Sequence, residues 1–219
     1  LYNALKAGKI DLYPEFTGTI TSTFLKDPVS STDPNVVWQK AEEGIKKLNQ
    51  FTYLSPMKFQ DTYAIAVKSD FAKEHQLTKI SDLTAGFDVE FANRSDGNIG
   101  LRKLYGLDLN VKTMQNSLIY KALNSGAVNV AEVYSTDSQI KQYNLTVLKD
   151  DKNLFPPYQA APLMKESLLK KYPELKKILN KLSGKITDQE MIEMNYDVNV
   201  KQEDAAKVAE RYLKSKGLI

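Results

Sequence analysis

The sequence predicts an α/β fold in two lobes, and three observations support this. Short apolar strands alternate with amphipathic helices, a pattern typical of βαβ units and mainly parallel sheets. No Pro- or Ser-rich linker divides the 219 residues. Two extended apolar segments, "DTYAIAV" and "YQAAPLM", are candidates for the places where the chain crosses between lobes. We therefore expect one lobe from residues 1–66 and 160–219, and a second from residues 67–159.

A helix that stops at a glycine and leads into a strand occurs twice. The first copy is "ALKAGKIDLYPEFTGT" and the second is "ALNSGAVNVAEVYSTD". With an offset of 118 residues, Gly8 corresponds to Gly126 and Phe16 to Tyr134. Glycine is common just past a helix because the backbone there is often left-handed. The repeat predicts, in both halves, an aromatic ring followed by hydroxyl side chains at the end of a strand.

Capping and periodicity predict the elements of the first third of the chain. "KIDLY" is predicted as a strand that ends in a turn at Pro14. A long helix follows, with Asp33 as its N-cap, Pro34 in its first turn and an apolar stripe that includes Leu48. We expect Trp38 to pack rather than to bind a ligand. "DTYAIAVKS" is continuously apolar at its centre, as in a buried strand.

The same reasoning predicts the remaining elements. "KISDLTA" is predicted as a short helix and "FDVEFA" as a strand. Further along, helix and strand patterns alternate through "MQNSLIYKALNSG", "AVNVAEVY", "STDSQIKQYN" and "LTVLKD". From Lys165 to the C-terminus the pattern is helical, with breaks at Pro173, "SGKIT" and "DVNV".

The composition excludes several kinds of function. With 30 basic and 27 acidic residues the net charge is +3, which argues against a nucleic-acid-binding protein. The chain has no cysteine and one histidine, His75, so disulfides and zinc–thiolate sites are excluded. A Ser-His-Asp mechanism would need His75, which lies in the charged segment "DFAKEHQL". We expect no metal, no cofactor, no catalysis and no membrane-spanning helix.

Four aromatic residues lie where a ligand would bind. In parallel α/β sheets ligands bind beyond the carboxyl ends of strands, and Phe16 and Tyr134 occupy such positions. Tyr63 and Tyr158 open the two predicted crossing segments. The faces of several rings suit a quaternary ammonium group, which cannot donate hydrogen bonds and is held by cation–π and apolar contacts. For any single ring ordinary core packing is the better interpretation, and the presence of four rings at such positions, two of them related by the repeat, favours a ligand cage.

Arg94, in "FANRSDG", is a candidate donor to a carboxylate. It follows a predicted strand, and a guanidinium binds a carboxylate through paired hydrogen bonds. A surface ion pair with Asp96 is the alternative, and the sequence position does not decide between them.

Several segments resemble a known family. "ALKAGKIDLYPEFTGT", "DTYAIAV", "LRKLYGL", "VYSTDSQIKQYNLTVLKDDKNLFPPYQAAPL" and "ITDQEMIEMNYDV" are similar to the substrate-binding component of osmoprotectant ABC transporters. This is the ProX/OpuC-like family, whose members bind glycine betaine, carnitine or choline. The resemblance covers essentially the whole chain. It implies a type II periplasmic-binding-protein fold, with two α/β lobes joined by a two-strand hinge and the ligand in the cleft.

The resemblance also implies the site residues. The family's aromatic box corresponds to Phe16, Tyr63, Tyr134 and Tyr158. Its carboxylate-binding arginine corresponds to Arg94 and a loop threonine to Thr19, and Asp61 lies beside the box, where its backbone is positioned to contribute. The family usually has tyrosine at the position of Phe16, so the π face is kept here and the hydroxyl is lost.

The resemblance further implies the setting in which the protein works. The expected partners are a quaternary-ammonium solute and an ABC permease subunit, and we expect a monomer. The expected location is the extracellular face of the cytoplasmic membrane, through a lipid anchor or permease fusion, or the periplasm. About one further βαβ unit of the first lobe is expected before residue 1.

Three alternatives remain at this point. A receptor of the same fold could bind an amino acid or another small cation. A transferase or hydrolase could use the same two-lobed scaffold with carboxylates or tyrosines as acid and base. A structural or interaction domain would bind no small molecule. The sequence does not rank glycine betaine, carnitine and choline.

Overall fold

The computed structural model of the chain describes residues 1–76, 78, 87–107, 109 and 111–219. The helix predicted at "KISDLTA" lies outside these residues. The strands are β1 (Leu12–Phe16), β2 (Phe51–Tyr53), β3 (Tyr63–Lys68), β4 (Phe87–Asp88), β5 (Thr113–Met114), β6 (Val130–Tyr134), β7 (Leu145–Leu148) and β8 (Ala160–Lys165).

The helices follow the same order along the chain. They are α1 (Tyr2–Lys6), α2 (Thr17–Thr19), α3 (Pro34–Asn49), α4 (Ser69–Glu74), α5 (Val89–Asn93), α6 (Asn98–Gly100), α7 (Asn116–Ser125), α8 (Ser138–Gln142), α9 (Glu166–Lys171), α10 (Glu174–Leu179), α11 (Asp188–Asn199) and α12 (Ala205–Ser215). Helices α2 and α6 continue as π-helical turns, Ile20–Phe24 and Leu101–Tyr105, and α10 continues as the 3₁₀ turn Asn180–Leu182.

The chain forms two compact units. Unit 1 comprises Leu1–Asp61 and Pro156–Glu190, and unit 2 comprises Thr62–Phe155 and Met191–Gly217. The chain passes from one unit to the other just before β3, shortly before β8, and within α11.

The division differs from the predicted lobes at the C-terminal end, where residues 160–219 were all assigned to the first lobe. In the structure Met191–Gly217 belong to unit 2. Ile192 is buried in the core of that unit, and the side chain of Asn195 donates to the carbonyl of Thr136 at 2.9 Å. Helical periodicity identifies a helix but does not identify the surface on which it packs, so the sequence did not separate these helices from the preceding ones.

Unit 1 is built on a three-stranded antiparallel sheet with the order β1–β8–β2. Helices α1 and α3 cover it with apolar side chains. The buried residues of this core are Leu5, Tyr13, Ile20, Ala41, Ile45, Phe51, Tyr53, Ala161 and Leu163.

Unit 2 contains a sheet with the order β6–β3–β7, also antiparallel, and a short parallel pair of β4 and β5. Strand β3 is central and its two faces serve two cores. Tyr63, Ile65 and Val67 face one of them, and Ala64 and Ala66 face the other. This alternation explains why the segment reads as continuously apolar.

The prediction of mainly parallel sheets was wrong. Strands β1 and β2 are both antiparallel to β8, so they run in the same direction and are joined through α3. Strands β6 and β7 are related in the same way, with β3 between them and α8 in their connection. The strand–helix–strand pattern therefore identified two split βαβ units. The strand inserted in each comes from far along the sequence, which the local pattern cannot reveal.

The repeated helix–glycine–strand segments form the same structure twice. Strands β1 and β6 have identical bounds at the offset of 118 residues. Gly8 follows α1 with φ +70° and Gly126 follows α7 with φ +76°, both in the left-handed region that favours glycine. Phe16 and Tyr134 are the last residues of their strands.

Two local predictions need correction. The chain does not turn at Pro14, which lies within β1 opposite Pro162; β1 is an edge strand, where a residue without an N–H is tolerated. Within "FDVEFA" only Phe87 and Asp88 are extended, and α5 follows. The carboxylate of Asp88 accepts a hydrogen bond from the N–H of Phe91 at 2.6 Å, which caps this helix.

Helix α3 begins as predicted. The side chain of Asp33 accepts a hydrogen bond from the N–H of Asn35 at 2.9 Å, and Pro34 is the first helical residue. Trp38 is partly buried and its indole N–H donates to the carbonyl of Leu54 at 2.9 Å, which agrees with a packing role. Leu48, predicted in the apolar stripe, is exposed.

Replacing the cap of α3 tests this local account. Asp33→Ala removes the acceptor of the Asn35 N–H, and we expect the free energy of unfolding to fall by about 1 kcal/mol. Urea denaturation at neutral pH measures the change. Thr32→Ala, at the exposed neighbouring position, is the control and should leave the unfolding midpoint unchanged; equal effects of the two variants would contradict the capping role.

Candidate functional site

Tyr63 and Tyr134 form the centre of the candidate site in unit 2. They are opposite residues of the β3–β6 ladder, so their side chains lie on the same face of the sheet. Their rings are stacked, with centroids 5.3 Å apart and planes inclined by 29°. The ring of Phe91, in α5, contacts that of Tyr63, with the two ring centroids 5.1 Å apart. Burial raises the pKa of Tyr63, and the adjacent Tyr134 raises it further, so the hydroxyl of Tyr63 is neutral at physiological pH.

Arg94 lies over Tyr63, with its guanidinium carbon 5.3 Å from the ring centroid. Its Nε and Nη2 donate to the two carboxylate oxygens of Asp96 at 2.7 and 2.8 Å. Its Nη1 donates to Glu90 at 2.9 Å. The ion pair with Asp96 is therefore formed. Three of the five N–H groups of the guanidinium donate to these carboxylates, and its hydrogen bonds to Asp96 raise the pKa of Arg94.

Glu132 is a buried carboxyl group two residues before Tyr134, on the same face of β6. It is opposite Ile65 in the ladder and only 4 % exposed. Its Oε1 accepts a hydrogen bond from the N–H of Asp88 at 3.1 Å. Its Oε2 has no hydrogen-bond partner within the described part of the chain. Desolvation by burial raises the pKa of Glu132 to about 8, so the carboxyl group is mainly protonated at neutral pH.

The loop after Tyr134 is fixed by several polar contacts within unit 2. The N–H of Ser135 donates to the carbonyl of Thr62 at 3.0 Å. The carbonyl of Thr136 accepts from Asn195, and the hydroxyl of Tyr120 donates to Asp137. These contacts hold the end of β6 in place: the first two use the backbone of the segment and the third uses the side chain of Asp137.

In unit 1, Phe16 occupies the position equivalent to Tyr134. It ends β1 opposite Ala160, and its ring meets that of the buried Phe59 edge to face, at a centroid distance of 6.4 Å and an angle of 76°. The residue opposite Phe16 in the ladder is small, whereas the residue opposite Tyr134 is another tyrosine. The two equivalent strand ends therefore have different surroundings.

Thr17 and Gly18 position Tyr158. The buried hydroxyl of Thr17 donates to the carbonyl of Pro157 and accepts from the N–H of Gln159, both at 3.1 Å. These bonds hold the segment that carries Tyr158 beside the end of β1. The ring of Tyr158 lies on Gly18, where a Cβ atom would be 2.5 Å from ring carbons. Glycine is thus required for this close approach.

Asp61 and Thr19 lie in the same part of unit 1. The N–H of Asp61 donates to the carbonyl of Tyr158 at 2.9 Å, so this backbone donor is occupied within the protein. The N–H of Tyr158 donates to the side chain of Gln60 at 2.8 Å. Thr19 is half-buried and ends α2, two residues after Thr17.

The structure thus brings the predicted residues together in two groups, one in each unit. Unit 2 holds Tyr63 in contact with both Arg94 and Tyr134. Unit 1 holds Phe16, Thr19, Asp61 and Tyr158 around the end of β1. Sequence reasoning missed Phe59, Phe91 and Glu132. A signal existed for Glu132 alone, since it is the one charged residue within the otherwise apolar core of "VAEVY".

A second buried carboxylate lies beside Phe16. Glu15 is 7 % exposed; its two oxygens accept hydrogen bonds from the Tyr13 hydroxyl at 2.6 Å and from the Phe16 N–H at 2.8 Å. Desolvation raises the pKa of Glu15, although these hydrogen bonds oppose the shift. Because both oxygens have partners, this group helps to fix the strand end.

Two further properties of the described residues bear on the kind of site. They contain no group of three or more His, Cys, Asp or Glu side chains that could hold a metal ion. None of their helices has the length and apolar character needed to cross a membrane.

The comparison with family models is decisive. The model for the substrate-binding domain of ABC-type glycine betaine transport systems, OpuAC, matches residues 1–215. The chain belongs to this family. Its resemblance to osmoprotectant-binding proteins, predicted from the quoted segments, is confirmed.

Related proteins carry several solute names. The ergothioneine transport permease/ergothioneine binding protein EgtU of Helicobacter pylori (strain G27) is 34% identical over 226 residues; the match covers 100% of this chain and 40% of that protein. The carnitine transport binding protein OpuCC of Listeria monocytogenes is 36% identical, with 97% of this chain and 72% of that protein covered. The chain thus spans less than half the length of the Helicobacter relative.

Solved structures confirm the predicted fold class. The structure described as a glycine betaine/carnitine/choline ABC transporter has a TM-score of 0.90 at 38% identity, covering 99% of this chain and 83% of that chain. Apo YehZ from Escherichia coli has a TM-score of 0.83 at 27% identity, covering 100% and 84%. The OpuAC family chain described here is a type II periplasmic binding protein in fold.

The buried carboxyl group of Glu132 predicts a pH-dependent stability. Its pKa is higher in the folded protein than in the unfolded chain, so the folded state binds the extra proton between about pH 4.5 and 8, and stability falls as the pH rises through this range. Glu132→Gln removes this proton linkage. We expect the unfolding free energy of the variant to rise by about 4 kcal/mol relative to that of the original protein between pH 5 and pH 9, because each pKa unit of the shift corresponds to about 1.4 kcal/mol.

Urea unfolding between pH 5 and pH 9 measures this linkage. Glu43→Gln, at an exposed position of α3, is the matched control and should give parallel curves for variant and original protein. A constant difference between Glu132→Gln and the original protein across this range would contradict the buried-acid account.

Proposed function

We propose that this substrate-binding domain captures a quaternary-ammonium compatible solute, such as glycine betaine, carnitine or choline. The observation that carries the proposal is the Tyr63–Tyr134 stack with a cation already on the face of Tyr63. Neutral tyrosine faces attract a diffuse positive charge without offering the carboxylate that would also bind sodium or lysine. The family membership supports the same class of ligand.

The proposal gives each predicted site residue a role. In unit 2 the rings of Tyr63 and Tyr134 are assigned as contacts for ammonium methyl groups. In unit 1 the rings of Tyr158 and Phe16 are assigned the same kind of contact. Arg94 donates its remaining N–H groups to a carboxylate or hydroxyl of the solute. Thr19 contributes its hydroxyl, and Asp61 contributes through its backbone carbonyl, because its N–H already donates to the carbonyl of Tyr158. Gly18, Thr17 and Phe59 act indirectly, because they position Tyr158 and Phe16.

The proposed setting follows from the family. The domain would bind its solute outside the cytoplasmic membrane and deliver it to an ABC permease, as a monomer and without chemical change to the solute. The proposal includes three ways of placing the domain there: a lipid anchor, fusion to a permease, or a free protein in the periplasm. Ligand binding would shift a pre-existing conformational equilibrium, as in other two-lobed receptors.

A second candidate ligand is ergothioneine, because the relative from Helicobacter pylori that is 34% identical is named for it. A receptor for an amino acid or another small cation is the remaining alternative from the same fold. One set of titrations distinguishes these candidates, because each predicts tight binding of a different compound.

Isothermal titration of the protein with glycine betaine, carnitine, choline, ergothioneine and proline tests the proposal. We expect one-to-one saturable binding of at least one quaternary-ammonium compound. Tyr134→Ala should weaken it by about tenfold or more, because a ring contact to the cation is lost, and Tyr134→Phe should retain most of the affinity, because the π face remains. The bound compound should be recovered chemically unchanged.

Tyr172→Ala is the matched control, since Tyr172 is a partly exposed residue between α9 and α10 and should not affect binding. Three results would contradict the proposal: a folded protein that binds none of the quaternary-ammonium compounds, equal affinity in Tyr134→Ala and the original protein, or turnover of the bound compound. Tight binding of proline alone would favour an amino-acid receptor.

A further inference from the structure

The carboxylates around Arg94 raise a question of charge. The guanidinium is 5.3 Å from the centroid of Tyr63, on the same ring that is proposed to hold an ammonium group. An uncompensated guanidinium there would repel a cationic ligand across a few ångströms. Two carboxylates of this chain surround it instead, at 2.7–2.9 Å. The three side chains together carry a formal charge of −1.

We propose that Asp96 and Glu90 determine the charge preference of the site and allow it to accept a cationic as well as a zwitterionic quaternary ammonium. The inference rests on the proposed function, since it concerns which ligands of that class bind. It assigns a role in specificity to two residues that need not touch the ligand. Arg94 keeps donors for a carboxylate, while its neighbours offset the repulsion that it exerts on a cation without one.

Geometry and exposure rank the two carboxylates. Asp96 holds Arg94 through two hydrogen bonds and its side chain is 24% exposed, whereas Glu90 makes a single bond and is 69% exposed. Solvent and salt screen an exposed charge more strongly. The effect of Asp96 should therefore be the larger.

A role in specificity differs measurably from a role in holding Arg94. If Asp96 mainly compensates charge, its removal weakens the binding of choline, which carries a net positive charge, more than that of glycine betaine, which is zwitterionic. If Asp96 only keeps Arg94 in place, its removal weakens glycine betaine more, because the carboxylate loses its donor. The ratio of the two dissociation constants moves in opposite directions in the two cases.

The experiment measures the Kd of choline and of glycine betaine for the original protein, Asp96→Asn and Glu90→Gln at low and high salt. We expect the ratio of choline Kd to glycine betaine Kd to rise about three- to fivefold in Asp96→Asn at low salt. It should rise less in Glu90→Gln, an exposed change that leaves the fold intact, and both effects should shrink at high salt.

Glu203→Gln is the control, because Glu203 forms an ion pair with Arg211 at 2.8 Å and should not alter the ratio. Two results would overturn this inference while leaving the proposed function intact. One is an unchanged ratio of choline Kd to glycine betaine Kd in Asp96→Asn and Glu90→Gln, and the other is a ratio that falls. Failure of the original protein to bind choline at all would overturn this inference alone, whereas the proposed function would fail only if no quaternary-ammonium compound of the titration panel bound.

Discussion

The register of β3 against β6 is the constraint on which the site in unit 2 depends. It places Tyr63 opposite Tyr134 and Ile65 opposite Glu132. A slip of one residue would move Tyr63 to the other face of the sheet, among the side chains around Ala64 and Ala66, and would separate the two rings. The register is secured because both faces of β3 are buried, so an altered pairing would exchange two differently shaped apolar surfaces.

This register also links the rings to the charged groups. Glu132 accepts a hydrogen bond from the N–H of Asp88, and the Asp88 carboxylate caps α5. Helix α5 carries Phe91 against Tyr63 and is followed directly by Arg94. The position of the guanidinium over Tyr63 is thus fixed from both sides, by the strand pair beneath the ring and by the helix that Glu132 helps to anchor. This connection gives the buried carboxyl group of Glu132 a structural role, since it helps to anchor the start of α5.

The sequence predicted the elements better than their arrangement. Asp33, Gly8 and Gly126 act through local backbone geometry, so caps and stops could be recognised from neighbouring residues alone. The sheet order could not be recognised in this way. Strand β8 lies between β1 and β2, and β3 lies between β6 and β7, and each inserted strand is far along the sequence from the two strands that flank it. Pro14 reads as a turn residue, yet on an edge strand its missing N–H costs nothing. Ile192 packs on unit 2 because of long-range contacts that periodicity does not encode.

For the candidate site, residue types at strand ends indicated the aromatic positions and Arg94 as a possible carboxylate donor. The family resemblance added Thr19 and Asp61 and favoured the carboxylate-binding role of Arg94. The partners that give these side chains their properties were not predictable in the same way. Phe59 reaches Phe16 from another segment, and the effect of Glu90 and Asp96 on Arg94 depends on distances of 2.7–2.9 Å. Spacing in the sequence allows such contacts but does not require them.

The repeat places an aromatic ring at the same backbone position twice, in two different chemical environments. Strands β1 and β6 both end in an aromatic ring followed by residues that hydrogen-bond to a neighbouring segment, Thr17 in one case and Ser135 in the other. Phe16 faces an apolar ring and has no hydroxyl, whereas Tyr134 stacks on a tyrosine beside an ion-paired arginine. The ring therefore has the same position at the two strand ends but different neighbours: an apolar ring in unit 1, and a hydroxyl-bearing ring beside an ion-paired guanidinium in unit 2. The repeated backbone fixes where each ring lies, and the residues that reach it from other segments determine the polarity around it.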